Sequence, residues 1–358
     1  MLLLSIKMFT VTKVLKTGTP LVFVFFLSFL SFVSGKSNSL GMQMIRIQPG
    51  EYIRGSIKGD HLRKNHPLSA GGVGYHDSRP RHRVKLTVPF EFAATEVTVG
   101  QFRKFVEDTG YKTSAETNGV GAVQFLSEVK EEGVEQFGTR PECTWKNPGF
   151  PQADNHAVVC VSWKDAVAFC QWLSQKEKVK YRLPTEGEWE YAARAGVTTS
   201  YLGGNSASTV YAFGNVADAT LEQVIPGMTL RQRIKDLEPG KGDGHAYTAP
   251  IASLKPNPWG IYDTHGNVWE WCSDKYDAGH YQKITKGHIN HDDPNTLPLI
   301  TDPKGPEDTP NHKYGDWRVM RGGAWVTGPL SSRCASKSYG EAGDSFCYTG
   351  FRVVRDLE

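Results

Sequence analysis

The chain has 358 residues, with 41 Lys and Arg against 38 Asp and Glu. The three surplus cations, Lys7, Lys13 and Lys16, all fall in the first 35 residues, which hold no acid, so the rest balances at 38 against 38. That balance excludes a strongly basic nucleic-acid-binding surface, and 39% hydrophobic residues with 11% aromatics exclude a disordered chain.

Residues 21–33 (LVFVFFLSFLSFV) form a 13-residue run of apolar residues and serines behind this basic stretch. A spanning helix needs about 20 apolar residues, whereas the core of a secretory leader needs about 7–15. Ser34 and Gly35 suit a cleavage site. The expected organisation is a signal peptide over 1–35 and one domain over 36–358, working in the periplasm or outside the cell. Membrane attachment would come only through an uncleaved leader. Export permits disulfides among Cys143, Cys160, Cys170, Cys272, Cys334 and Cys347. There is no C-x-x-C pair, and six cysteines allow fifteen full pairings. The pairs nearest in sequence are Cys143 with Cys160 and Cys334 with Cys347.

Residues 44–56 (MIRIQPGEYIRGS) alternate apolar and polar around Pro49-Gly50, which predicts a hairpin. Residues 59–81 suggest a loop, and 83–92 (RVKLTVPFEF) a strand with Pro89 at an edge or bulge. Three helices follow, over 98–109, 162–176 and 185–195. They start at Thr98, Ser162 and Thr185, with Asp165 and Glu188 three residues after the last two, and Gly110 and Gly196 as stops. A weaker helical pattern covers 221–237, and short apolar runs cover 318–326 and 350–354. With 37 Gly and 20 Pro, the expectation is a single α+β domain with much irregular structure.

Four blocks stand in order: Ala94-Thr95-Glu96-Val97-Thr98; Val161-Ser162-Trp163 running into 182–192 (RLPTEGEWEYA); 260–271 (GIYDTHGNVWEW); and 321–325 (RGGAW) with Gly350-Phe351-Arg352-Val353. Together they resemble the sulfatase-modifying-factor family, whose namesake is the formylglycine-generating enzyme, over residues 44–356. The resemblance implies a C-type-lectin-like fold. It also implies two structural calcium ions, one held by Asp263 and Glu270 with the carbonyls of Gly266 and Val268, the other by Asn215, Val216, Asp243 and His245. Calcium takes six to eight oxygens, so such carboxylates and carbonyls suit it. By spacing alone, the plainer reading is that Glu270 bonds backbone amides in a tight turn and Asp243 sits in a Gly-flanked loop.

In active members, copper(I) is held by two cysteines that follow the Gly-Gly motif in a C-x-x-x-x-C spacing. Here Thr327 stands at the first of those positions, Ala324 replaces the family's serine, and the next cysteine is Cys334. The resemblance aligns Cys334 with a structural cysteine whose partner position is Ala193. Copper and the namesake thiol oxidation are therefore not expected, and no catalytic residue is assigned. Trp325, Thr327 and Cys334 mark a groove beside the former active loop, and most other tryptophans are expected in the core.

Three functions remain. The first is a calcium-stabilised binding or modulating module that holds a peptide or protein partner, such as a sulfatase. The second is an active formylglycine generator with a relocated site, which would need Cys334 and Cys347 close together. The third is an oxidoreductase with another metal held by His280, His288 and His291 with Asp292 or Asp293.

Overall fold

The computed structural model describes residues 36–57, 77–126, 137–225, 241–287, 293, 295–307 and 313–357. The expected leader over 1–35 lies outside them, as do most of the loop at 59–81 and of the segment at 221–237. In chain order the strands are β1 (Met44–Ile47), β2 (Gly50–Arg54), β3 (His82–Leu86), β4 (Phe90–Ala93), β5 (Ala122–Phe125), β6 (Phe137–Arg140), β7 (Tyr181–Arg182), β8 (Trp269–Lys275), β9 (Leu299–Thr301), β10 (Trp317–Arg321), β11 (Lys337–Glu341), β12 (Thr349–Gly350) and β13 (Val354–Asp356). The helices are α1 (Val99–Thr109), α2 (Ser114–Thr117), α3 (Trp163–Glu177), α4 (Glu186–Arg194), α5 (Ala219–Val224) and α6 (His280–Ile284). The mixed, loop-rich α+β reading holds.

Pro49-Gly50 does not make a hairpin. β1 pairs with β4 in the sheet β1-β4-β13-β7, whereas β2 pairs with β3 in the sheet β2-β3-β9. The run at 83–92 likewise breaks at residues 87–89, where Pro89 cannot donate to a ladder. Both chain segments change sheets at the same place, so alternation that looked like one hairpin serves two sheets. The other sheets are β11-β10-β8-β12 and the pair β5-β6.

The three expected long helices form where their caps predict. Thr98, Ser162 and Thr185 each accept a hydrogen bond from the third helical amide, and the side-chain oxygens of Gln101, Asp165 and Glu188 accept one from the cap amide. Each such cap contributes about 1 kcal/mol. α1 and α3 bury Phe102, Phe105 and Phe169 in a core that also takes Trp145, Trp269, Trp271, Trp325 and Phe351. A second core joins β1, β3 and β4 to Trp189 of α4. These tryptophans are buried, and Trp163 is half-buried under the Arg318 guanidinium, 4.0 Å from its ring. Among the described residues no helix is long and apolar enough to cross a membrane.

Candidate functional site

The loops joining the elements, rather than the elements themselves, carry the site. Gly214 and Gly266 allow two of them to touch: a Cβ on Gly214 would lie 1.8 Å from His265 O, and one on Gly266 would lie 2.0 Å from Asn215 O. Side chains there would force the loops apart, so glycine is required at both positions. The contact is sealed by the Asn267 amide donating to Asn215 O at 2.7 Å.

Asp263 and Asn267 sit in the left-handed region (φ 59° and 64°), which aims both side chains inward. Asn267 Nδ2 donates to Glu96 Oε1 at 3.1 Å, and its Oδ1 accepts from the Ala249 amide at 2.8 Å. Asp263 Oδ2 accepts from the Ala252 amide at 2.9 Å. Asp263 Oδ1 and Glu96 Oε2 are buried with no N–H or hydroxyl donor among the described residues, and the Glu96 and Asp263 carboxyls hydrogen-bond each other. Burial first, then the charge of Asp263, pushes the Glu96 carboxyl well above its ordinary range. Burial pushes Asp263 up to about 6, with the Ala252 amide and Arg352 opposing. Glu270 behaves differently. Both its oxygens are engaged by Arg352, from Nε at 2.5 Å and Nη2 at 2.7 Å, and Trp189 Nε1 adds a bond at 2.8 Å. Three buried acids thus face one guanidinium, and two of them, Asp263 and Glu96, also face each other.

The second expected calcium loop lies on the other side of the Gly214–Gly266 contact. Asp243 Oδ2 accepts from the Val216 amide (2.8 Å) and Oδ1 from the His245 amide (2.9 Å). Its own amide donates to Asp218 Oδ2 at 2.5 Å. Burial and the neighbouring Asp218 push Asp243 up to about 8. Asn215 turns its Nδ2 to Tyr247 O (2.7 Å), and among the described residues its buried Oδ1 has no hydrogen-bond partner. The structure joins Asp243 to Val216 and His245 by hydrogen bonds, sets Gly266 against Asn215, places Val268 O beside Gly322, and brings Asp263 and Glu270 to the same guanidinium, Arg352. Among the described residues, no three His, Cys, Asp or Glu side chains are placed to share a metal. Each loop offers acidic pairs and carbonyls instead.

Glu96 and Asp218 were missed as participants. The signal for Glu96 was an acid inside the apolar block before a helix cap. For Asp218 it was an acid three residues after Asn215.

The loop after Gly322-Gly323 is closed on itself. Thr327 Oγ1 accepts from the Ala324 amide at 2.9 Å and donates to Ala324 O at 3.0 Å. The Trp325 amide donates to Asn267 O, and the Ala217 amide to Thr327 O, which ties this loop to both acidic loops. Trp325 and Cys334 are fully buried, which corrects their assignment to a groove wall. Trp325 packs edge-on against Phe150 and Tyr247 and donates from Nε1 to Cys347 O at 3.3 Å. Of the three expected groove residues only Thr327 is partly exposed.

Cys334 Sγ lies 4.0 Å from His265 Nε2, a nitrogen already taken by the Leu202 amide at 3.0 Å. Burial pushes the thiol up and lowers His265 to about 4, so neither group is poised for nucleophilic chemistry. Cys347 belongs instead with Cys143 and Cys160, away from Cys334. Of the third expected site, His288, His291 and Asp292 lie outside the described residues. His280 begins α6, and Asp293 Oδ1 accepts from the Asn295 amide.

Behind the site, α4 places Glu186 and Glu190 in a buried network. Arg321 donates to Glu190 Oε2 (2.5 Å), Cys334 O (2.7 Å) and Ala335 O (3.0 Å). Arg194 holds the other oxygen of Glu190 at 2.8 Å, and Arg54 pairs with Glu186 at 2.6 Å. Burial alone would raise Glu186; Arg54, Lys337 and Arg321 hold it well below the ordinary carboxylate range.

Residues 32–357 match the family model of the sulfatase-modifying factor enzyme 1-like domain. The chain is 31% identical to the formylglycine-generating enzyme of Streptomyces coelicolor over 88% of its length and 89% of the relative's. It is also 33% identical to the inactive C-alpha-formylglycine-generating enzyme 2 of Mus musculus, over 56% of this chain and 63% of that one. The solved structure of PvdO from Pseudomonas aeruginosa, at 22% identity, superposes with a TM-score of 0.61 and covers 90% of this chain and 97% of that one, a likeness of fold. The chain belongs to the sulfatase-modifying factor (formylglycine-generating enzyme) family.

Proposed function

We propose that the protein is an exported, calcium-stabilised member of its family that holds a peptide or protein partner, a sulfatase being the leading class, and does not oxidise thiols. The observation carrying this is Thr327, which stands where the first copper thiolate is expected and spends its hydroxyl closing its own turn. The residues present do not fit two-thiolate copper(I) at that loop. Cys334, the next cysteine along, is buried against His265.

Mass spectrometry of a Cys-x-Pro-x-Arg peptide, incubated aerobically with the purified protein and copper(I), tests this reading. The peptide should keep its thiol. Conversion to an aldehyde would replace the binding reading with the second one, an active generator, which the identity to the Streptomyces enzyme favours.

Calcium fits the donor set. Asp263 with Glu96 and the carbonyls of Gly266 and Val268 would hold one ion; Asn215, Asp243 and the carbonyls of Val216 and His245 would hold the other. The ions would supply positive charge that crosslinks loops lacking sheet or helix partners. Saturating the protein at about a hundredfold over Kd should stabilise it by about 2.7 kcal/mol per site. The check is Tm in calcium against EDTA. Asp263→Ala and Asp243→Ala should each shrink the shift, and an identical Tm in both buffers would sink the calcium assignment.

A further inference from the structure

Cys143, Cys160 and Cys347 meet where three segments are laced together. The Ala122 amide donates to Cys143 O, the Cys160 amide to Phe346 O and the Cys347 amide to Val123 O. All three thiols are fully buried. Two of the sulfurs touch: Cys143 Sγ and Cys160 Sγ are 3.5 Å apart. Cys160 also holds a left-handed backbone (φ 58°), an uncommon conformation for a residue with a Cβ. We infer that Cys143 and Cys160 form a native disulfide, which closes the loop at 144–159 into a covalent ring. A disulfide has an S–S bond of about 2.05 Å, so the sulfurs must approach by roughly 1.5 Å, within the reach of side-chain torsions.

The ring would have a defined task. Residues 144–159 contain no helix or strand of their own beyond isolated bridges. They nevertheless place Phe150 in a stack with Tyr247 (4.8 Å) and edge-on to Trp325 (5.2 Å). The loop also receives the Val99 and Gly100 amides on His156 O and Asp154 O, and it sends Gln152 Nε2 to Thr248 Oγ1 at 2.9 Å. It therefore buttresses the Trp325–Thr327 turn from the side. The inference stands apart from the proposed function, because the bond would brace that turn whether or not the turn binds anything.

A disulfide-bearing oxidant such as oxidised glutathione supplies the chemistry. One cysteine thiolate attacks the oxidant, forming a mixed disulfide and releasing one glutathione thiolate. The second cysteine thiolate then attacks the mixed disulfide, forming the Cys143–Cys160 bond and releasing the second. Two protein thiols lose two electrons and two protons, and one glutathione disulfide becomes two thiols. Burial raises the Cys160 thiol well above its ordinary value, and thiolate is the reacting form. The bond therefore forms while the chain is folding and resists reagents afterwards.

The test refolds the full chain in a glutathione redox buffer, alkylates it under denaturing, non-reducing conditions, and maps the cysteines by peptide mass spectrometry. Of the six cysteines, four should be alkylated, with one linked pair joining Cys143 to Cys160. Cys347→Ser should leave that link unchanged. Cys143→Ser and Cys160→Ser should each raise the alkylated count by one and lower Tm by several degrees. Protein folded in reductant and then given oxidised glutathione should acquire the bond only at its rate of global unfolding. Six alkylated cysteines after oxidative refolding, or a link containing Cys347, overturns the inference. The wild-type map decides it even if the serine variants fail to fold.

Discussion

Replacing Arg321 by Met should destabilise the protein by about 3–5 kcal/mol, with a fall in Tm on the order of 10 °C. The guanidinium is completely buried and binds Glu190 while also satisfying the Cys334 and Ala335 carbonyls. Methionine fills much of the volume but donates nothing. Among the described residues Glu190 then keeps the Arg194 and Gly55 hydrogen bonds and the nearby charge of Arg54, and two carbonyls lose a donor. A buried charge deprived of a partner costs more than the pair was worth, because its desolvation is no longer offset. Glu190→Leu alone should cost a similar amount, and the double variant should cost less than the two added. Urea unfolding of the four proteins measures this. A loss below about 1 kcal/mol for Arg321→Met would show that water or a rearranged lysine replaces the guanidinium.

The second large effect belongs to Glu270. Its carboxylate takes two bonds from Arg352 and one from Trp189, all inside the core. Glu270→Gln keeps an acceptor for the indole but leaves Arg352 with no charged partner at that position, and should cost about 3–5 kcal/mol. The same variant separates two roles for this residue. If Glu270 serves chiefly as the counter-ion of Arg352, the loss will be equal in calcium and in EDTA. If Glu270 swings to a calcium ion, as the family resemblance implies, the variant will lose its calcium-dependent rise in Tm as well. Titrating calcium against wild type and variant by thermal melting distinguishes these outcomes.

Local signals were legible where the chain itself decides the structure. The caps at Thr98, Ser162 and Thr185 depend on side chains three residues away, and each formed where the sequence placed it. The turn at Pro49-Gly50 was misread because alternation reveals that a strand has two faces and says nothing about which strand lies beside it. β1 finds β4 and β2 finds β3, choices made by distant residues. The GNVWEW block was legible in the sequence, yet the partner of Glu270 was not, since Arg352 is 82 residues away in the chain. Trp325 was placed in a groove on its nearness to the Gly-Gly turn. In the fold, Phe150 and Tyr247, both remote in sequence, cover it.

The position of β13 governs the order of events in folding. This strand, residues 354–356, runs between β4 and β7, so the sheet that begins with β1 near the start of the domain is joined through its last strand. A chain emerging from the ribosome can form α1 and α3, whose backbone hydrogen bonds are local, but it cannot close that sheet until synthesis has passed residue 356. Such long-range pairing is slow to form and exposes strand edges meanwhile. A nascent chain of this protein therefore keeps that edge of β4 unpaired until residues 354–356 have been made, and the sheet closes only when β13 arrives.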